Sequence, residues 1–204
     1  QDEVFIVNFN DDAYLDVPFT NDLAKMEEGL ARIDSRGGTA MRDAISMSMD
    51  HLKQEGKKDK KVILVVTDGD DTASTGITLE KLVEKAHKMD QIIIYGIGIL
   101  GKEDARSRKK AERAINALTK ASGGASYYPG DVSEVEALAE QVAQDIRSQY
   151  VIAYSPTNQN LDGTFRTIKV TANGGRYTVR TRSGYYASPD TPRRKPAAAN
   201  GSQP

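Results

Sequence analysis

The sequence predicts an α/β fold, a doubly wound and mainly parallel sheet followed by a small antiparallel β addition. Three observations carry this. Lys61–Thr67 (KVILVVT) and Ile92–Ile97 are uninterrupted, β-branched runs, the composition of strands covered on both faces. Stretches with apolar residues at helical spacing alternate with them, as in a parallel sheet whose crossovers are helices. After residue 148 the helical spacing stops, and three β-rich stretches follow, joined by Asn, Asp and Gly loops.

Each element can be read in order. Val4–Val7 is a short apolar strand ending in the polar turn Asn8–Asp12, and Ala13–Pro18 returns as an edge strand. Leu23, Met26, Leu30 and Ile33 recur at helical spacing, as do Met41, Ile45, Met49 and Leu52. Between these two helices, Arg36-Gly37-Gly38-Thr39 forms a tight loop. Leu79, Leu82, Val83 and Ala86 mark a helix between the two buried strands. Ala111, Ile115 and Leu118 mark another, which ends at Gly123-Gly124. Ala125–Tyr128 is a short strand. Ser133 and Glu136 form a capping-box pair ahead of Val135, Leu138, Ala139, Val142 and Ile146. Tyr150–Tyr154, Phe165–Thr171 and Tyr177–Arg182 are the appended strands. The organisation is therefore an α/β domain over residues 1–148, a β appendage over 149–187 and a disordered tail over 188–204, rich in proline and small residues.

Composition excludes several function classes. With 28 Lys+Arg against 29 Asp+Glu the net charge is −1, so no basic field exists to attract nucleic acid or an anionic membrane. No apolar run approaches the roughly 20 residues of a spanning helix. There are no cysteines, which removes disulfides, thiol catalysis and thiolate metal sites together. The chain opens at Gln1, without Met and within what reads as a strand, which leaves room for a signal peptide upstream.

Open α/β sheets place their sites at the carboxyl ends of the strands. There, Lys61–Thr67 delivers Asp68-Gly69-Asp70-Asp71-Thr72, near the Gly37-Gly38-Thr39 loop. A hydroxyl with carboxylates suits a hard cation such as Mg²⁺, which takes oxygen ligands and keeps waters. The plainer reading makes Thr39 a helix N-cap and Asp68 a turn residue. Asp68 and Asp70 also fit the Asp-x-Asp-x-Thr nucleophile loop of haloacid-dehalogenase-type phosphatases, in which the first Asp attacks phosphorus and the second moves a proton. That chemistry needs a later acidic pair, and the chain offers only Asp131 with Glu134. Gly96-Ile97-Gly98-Ile99-Leu100-Gly101-Lys102 nearly forms a P-loop, but Glu103 stands where the Mg²⁺-binding Ser or Thr belongs. It reads as a glycine-rich strand exit. Arg106–Lys110 is a solvated helix face, and His51 and His87 are surface residues on separate helices.

Gly37-Gly38-Thr39-Ala40-Met41-Arg42-Asp43-Ala44 and Val65-Val66-Thr67-Asp68-Gly69-Asp70-Asp71 resemble the second and third metal motifs of von Willebrand factor type A domains. Gln149–Pro156 (QYVIAYSP) and Arg182–Ala187 (RSGYYA) are similar to the terminal segment of a bacterial subgroup, the VWFA-related domain proteins. The resemblance implies a Rossmann-like body and a non-enzymatic, adhesion-type domain that binds a protein partner, often through the partner's acidic group. It implies a divalent cation at a metal-ion-dependent adhesion site, with Thr39 and Asp68 as ligands and no catalytic residue. Asp43 would orient the loop, and Asp70 and Asp71 would be solvated turn carboxylates. The family's first motif, Asp-x-Ser-x-Ser, does not precede Val4, so the site is incomplete or vestigial in this chain. The strand bearing that motif lies centrally in the family, which predicts either a gap between Val4–Val7 and Lys61–Thr67 or a collapse that pairs these two strands directly. The subgroup's secretion signals imply an extracytoplasmic location.

Overall fold

The structure is a computed structural model that describes residues 2–32, 37–89, 91–101 and 103–189. Ile33, Arg36, Lys102 and nearly all of the expected tail lie outside those residues. Strands β1 (Val4–Phe9) and β2 (Ala13–Thr20) form an antiparallel hairpin, followed by helices α1 (Leu23–Ala31) and α2 (Met41–Gln54). Then come β3 (Lys61–Thr67), α3 (Leu79–Lys88), β4 (Ile92–Gly98), α4 (Ala105–Ser122), β5 (Ser126–Tyr127) and α5 (Val135–Arg147). Two short strands, β6 (Phe165–Thr167) and β7 (Gly184–Tyr186), close the chain as a second antiparallel pair.

Strands β3, β4 and β5 form a parallel sheet in that order, with Leu64 opposite Tyr95 and Val66 opposite Ile97. Side chains alternate between the faces of a strand. On one face Ile63, Val65, Ile92 and Ile94 pack against Met41, Ile45 and Met49 of α2, Leu82 of α3 and Leu118 of α4 in a single buried core. On the other face Tyr95 and Ile97 are buried, and the Tyr95 hydroxyl accepts a hydrogen bond from Gln149 just beyond α5. Leu64 and Val66 share that second face but are each 45% exposed. The cover therefore stops at β4.

The expected gap is present. Among the described residues β3 is paired on the β4 side only, and the β1–β2 hairpin forms a separate sheet. Helix α2 bridges the two, touching β1, β2 and β3. The Ala40 amide adds a bond to the Asn10 carbonyl at 2.7 Å.

Several sequence expectations require correction. Helix α1 forms, but Leu23 and Leu30 are exposed and Gly29 is its one buried residue, because the hairpin gives it only a small surface to cover. A Cβ on Gly29 would sit 2.3 Å from Val17 Cγ2, so the helix approaches β2 through bare backbone. Ser133 is not the cap of α5. Asp131 caps the preceding 3₁₀ turn by accepting from the Ser133 amide, and α5 starts at Val135 with no side-chain cap. Tyr150–Tyr154 and Tyr177–Arg182 are not strands, and Phe165–Thr171 is reduced to Phe165–Thr167. An apolar alternation makes a strand only where a partner edge is available, and these segments have none in place.

The appendage is fastened to the body at its end. Arg180 pairs with Asp145 and donates to the Tyr127 hydroxyl, and Arg182 donates to the carbonyls of His87 and Gly184. Gly123, at φ +89°, ends α4 in the left-handed conformation. A Cβ there would meet the Arg182 amide at 2.6 Å, so only glycine lets this segment cross. Tyr150, Tyr154, Phe165 and Tyr177 remain exposed, whereas Ala187 and Gly184 are buried. Docking runs mainly through β7 and the residues just before it, with Phe165 of β6 meeting His87 of α3.

Candidate functional site

The carboxyl end of β3 meets the start of α2 through two loops held by named side chains. Gly37, at φ +84°, takes a backbone conformation that a residue with a Cβ adopts only with strain. The next amide, of Gly38, donates to Asp11 Oδ1 at 2.5 Å. Thr39 is gripped through its backbone. Its amide donates to Thr72 Oγ1 at 3.0 Å, and its carbonyl accepts from the amides of Thr72 and Ala73. Thr39 is therefore not the N-cap of α2; Ala40 holds that position, without a side-chain bond.

Asp43 fixes the far part of the loop. Its carboxylate accepts from the backbone amides of Thr75, Gly76 and Ile77 at 2.9–3.2 Å, the orienting role expected of it. Asp71, expected to be solvated, is instead enclosed, its side chain only 6% exposed. It accepts from the Arg42 amide at 2.7 Å, the Arg42 guanidinium at 3.0 Å and the Ser74 hydroxyl at 2.8 Å. Asp70 is also not free, being 11% exposed and paired with Lys110 of α4 at 3.2 Å. Arg42 Nε is buried with no hydrogen-bond partner.

Asp68 is the exposed carboxylate of the loop, on the same side of the chain as Leu64 and Val66 by strand alternation. Its neighbour Gly69 lies against Thr39. A Cβ on Gly69 would be 3.8 Å from Thr39 Oγ1 and 3.2 Å from Glu103 Oε1. The Thr39 hydroxyl and the Glu103 carboxylate thus flank the same glycine. In the sequence alone Glu103 stands out only as the residue that spoils a P-loop. That pattern is absorbed by packing. A Cβ on Gly96 would be 2.3 Å from Ile115 Cγ2, and one on Gly98 would be 3.0 Å from the Tyr128 ring.

The donors present do not by themselves fit a six-coordinate Mg²⁺, which needs well-placed oxygens and gives up water reluctantly. Asp71, Asp70, Asp43 and Asp11 are engaged by protein groups, leaving one hydroxyl and the carboxylates of Asp68 and Glu103. Among the described residues no group of three or more His, Cys, Asp and Glu side chains is arranged to hold a metal ion.

The histidines also depart from expectation. His51 stacks on Phe19 at 4.8 Å and meets Phe5 edge-on, and His87 is buried beside the β6–β7 pair.

The α/β body has counterparts among known proteins. Residues 1–70 match the family model described as von Willebrand factor type A domain. The conserved hypothetical protein BatB from Bacteroides thetaiotaomicron aligns at TM-score 0.51 and 20% identity, covering 72% of this chain and 80% of its own. An aerotolerance-related membrane protein from Bacteroides fragilis, a variant with multiple mutations to serines, aligns at 0.54 and 20% identity over the same shares. A von Willebrand factor type A protein from Catenulispora acidiphila aligns at TM-score 0.55 and 18% identity, covering 71% of this chain and 34% of its own. At such identities the structures speak for the fold alone. No curated protein is significantly similar in sequence. The sequence likeness to the von Willebrand factor type A family thus covers residues 1–70, and the similar structures share the fold over 71–72% of the chain.

Proposed function

We propose that this domain is a non-enzymatic protein-binding module whose contact surface is the carboxyl end of the parallel sheet. The observation that carries the reading is Asp68. It is the acidic residue of the third motif left exposed, beside the glycine that contacts Thr39, while the surrounding carboxylates are tied into the scaffold. A binding surface needs a rigid frame with accessible polar groups, and the loops provide both. Nothing in the arrangement supports the phosphatase alternative built on Asp68 and Asp70, since Lys110 neutralises Asp70.

A divalent cation, Mg²⁺ in the first place, belongs to this reading only if further donors join Thr39 and Asp68. Bound there, it would supply a positive charge for an acidic group of the partner. In the same reading, an upstream strand enters between the β1–β2 hairpin and β3 and brings those donors, and the helix that follows it covers Leu64 and Val66 on the open face. An extracytoplasmic location fits the aerotolerance-related membrane protein among the similar folds. Among the described residues no helix is long and apolar enough to cross a membrane.

The test is partner capture with immobilised protein from native extracts, comparing the parent chain with Thr39→Ala, Asp68→Ala and the distant Asp50→Ala. Loss of one and the same partner on the first two substitutions but not the third supports the surface. A partner retained by all three places the contact elsewhere.

A further inference from the structure

His87 lies outside the surface just described, in the interface between α3 and the C-terminal strands. It is 8% exposed. Its Nε2 is 2.9 Å from Ser183 Oγ, and its ring meets Phe165 edge-on at 4.7 Å and Tyr186 at 6.3 Å. The Arg182 guanidinium bonds the His87 carbonyl. A cleft of about 370 Å³ opens beside them, lined by Glu80, Lys81, Val83, Glu84, His87, Phe165 and Tyr186. We propose that His87 is a protonation latch: neutral, it holds the β6–β7 pair on α3, and charged, it releases that pair.

The physical case rests on what surrounds the ring. From the C-terminal segment the charged group facing it is Arg182, which disfavours a second positive charge. From α3 itself, Glu80, Lys81 and Glu84 line the cleft, and Lys88 on the next turn sits 5.5 Å over Tyr186 while pairing with Glu84. Helix α2 offers Asp50, which is taken by Lys85 at 2.7 Å. The buried face of α4 contains no ionisable side chain. Burial, and then the Arg182 charge, hold the His87 imidazole below its ordinary titration range, against a backbone hydrogen bond to Val83. On protonation Nε2 donates and Ser183 Oγ accepts, so this bond survives. The cost comes from a desolvated cation facing Arg182.

The sign follows from linkage. A base whose folded pKa is depressed contributes docking stability that is fully present above the ordinary value near 6.5, and that stability falls as pH drops below it. The β6–β7 pair depends on docking, because an isolated two-stranded hairpin is marginal in water. Its own bonds, Ile168 amide to Ser183 carbonyl and Ala187 amide to Thr164 carbonyl, therefore report release.

Amide exchange of the full chain, corrected for the intrinsic effect of pH, tests this at about pH 7.5 and about pH 5.5, above the range where free carboxylates titrate. The expected result is loss of protection at Ile168 and Ala187 at the lower pH, with α2 and β4 unchanged. His87→Gln should abolish the difference and His51→Gln should preserve it. Should His87→Gln undock the strands at both values, an NMR titration of the parent chain decides. The Ala187 amide shift must then follow the His87 ring protons with one midpoint, below the ordinary histidine value. A pH-dependence that persists in His87→Gln, or hairpin signals that stay constant while His87 titrates, overturns the proposal.

Discussion

Arg42 and Asp71 hold each other twice, through the Arg42 backbone amide at 2.7 Å and its guanidinium at 3.0 Å. This one residue pair joins the start of α2 to the loop that leaves β3, and Ser74 completes the carboxylate's shell. A carboxylate so enclosed is costly to leave unpaired. Arg42→Ala is expected to destabilise the chain by about 1–3 kcal/mol, less than for a fully buried pair because the guanidinium keeps some solvent contact. Urea unfolding measures it. A change within about 0.5 kcal/mol, the range of ordinary surface substitutions, would mean that the pair is not a clamp.

The glycines of the P-loop look-alike serve packing. Gly96→Ala would place a Cβ 2.3 Å from Ile115 Cγ2 in the core, so the sheet and α4 must separate. Overpacking of this kind costs about 1–3 kcal/mol. The double substitution Gly96→Ala with Ile115→Ala, which removes the clashing Cγ2, should cost less than the sum of the two single losses, and thermal unfolding of the three proteins reads it. Full additivity of the two single losses would contradict the contact.

Strand β3 should exchange its amides in two alternating classes. Successive amides of a strand point to opposite edges, and among the described residues only the β4 edge of β3 is paired. Every second amide from Lys61 to Thr67 is expected to exchange quickly, and those bonded to β4 slowly. Uniform protection along β3 would show that some segment closes the open edge in the free chain.

Much of the body was legible in the sequence because its signals are local. Lys61–Thr67 is a strand over the whole span expected, since a run of β-branched residues suits a pleated surface wherever it is placed. The Gly37–Thr39 and Asp68–Thr72 loops lie together as expected, joined through Thr39, Thr72 and Ala73. What could not be read depends on distant partners. Asp70 and Asp71 stand two and three residues from Asp68 in one polar turn, and only the arrival of Lys110 and Arg42 from other helices separates a scaffold carboxylate from an exposed one. His87 looks like a surface histidine on α3 until Ser183 and Phe165 close over it, 96 and 78 positions along the chain. Tyr150–Tyr154 (YVIAY) carries a strand's aromatic and β-branched composition and still lies open, with Tyr150 92% exposed, because strand structure needs a neighbouring edge that local composition cannot supply.

The central claim is that Thr39 and Asp68 mark a binding surface whose cation site this chain does not complete. Calorimetric titration of Mg²⁺ and Mn²⁺ into the 204-residue chain tests it most directly. The account predicts no saturable binding at millimolar cation, because one hydroxyl and exposed carboxylates cannot replace enough of the ion's water. It also predicts a clear gain when an upstream strand bearing Asp-x-Ser-x-Ser is supplied, reduced again by Thr39→Ala or Asp68→Ala. Tight binding by the chain alone that survives Asp68→Ala would contradict the account and move the site away from this edge.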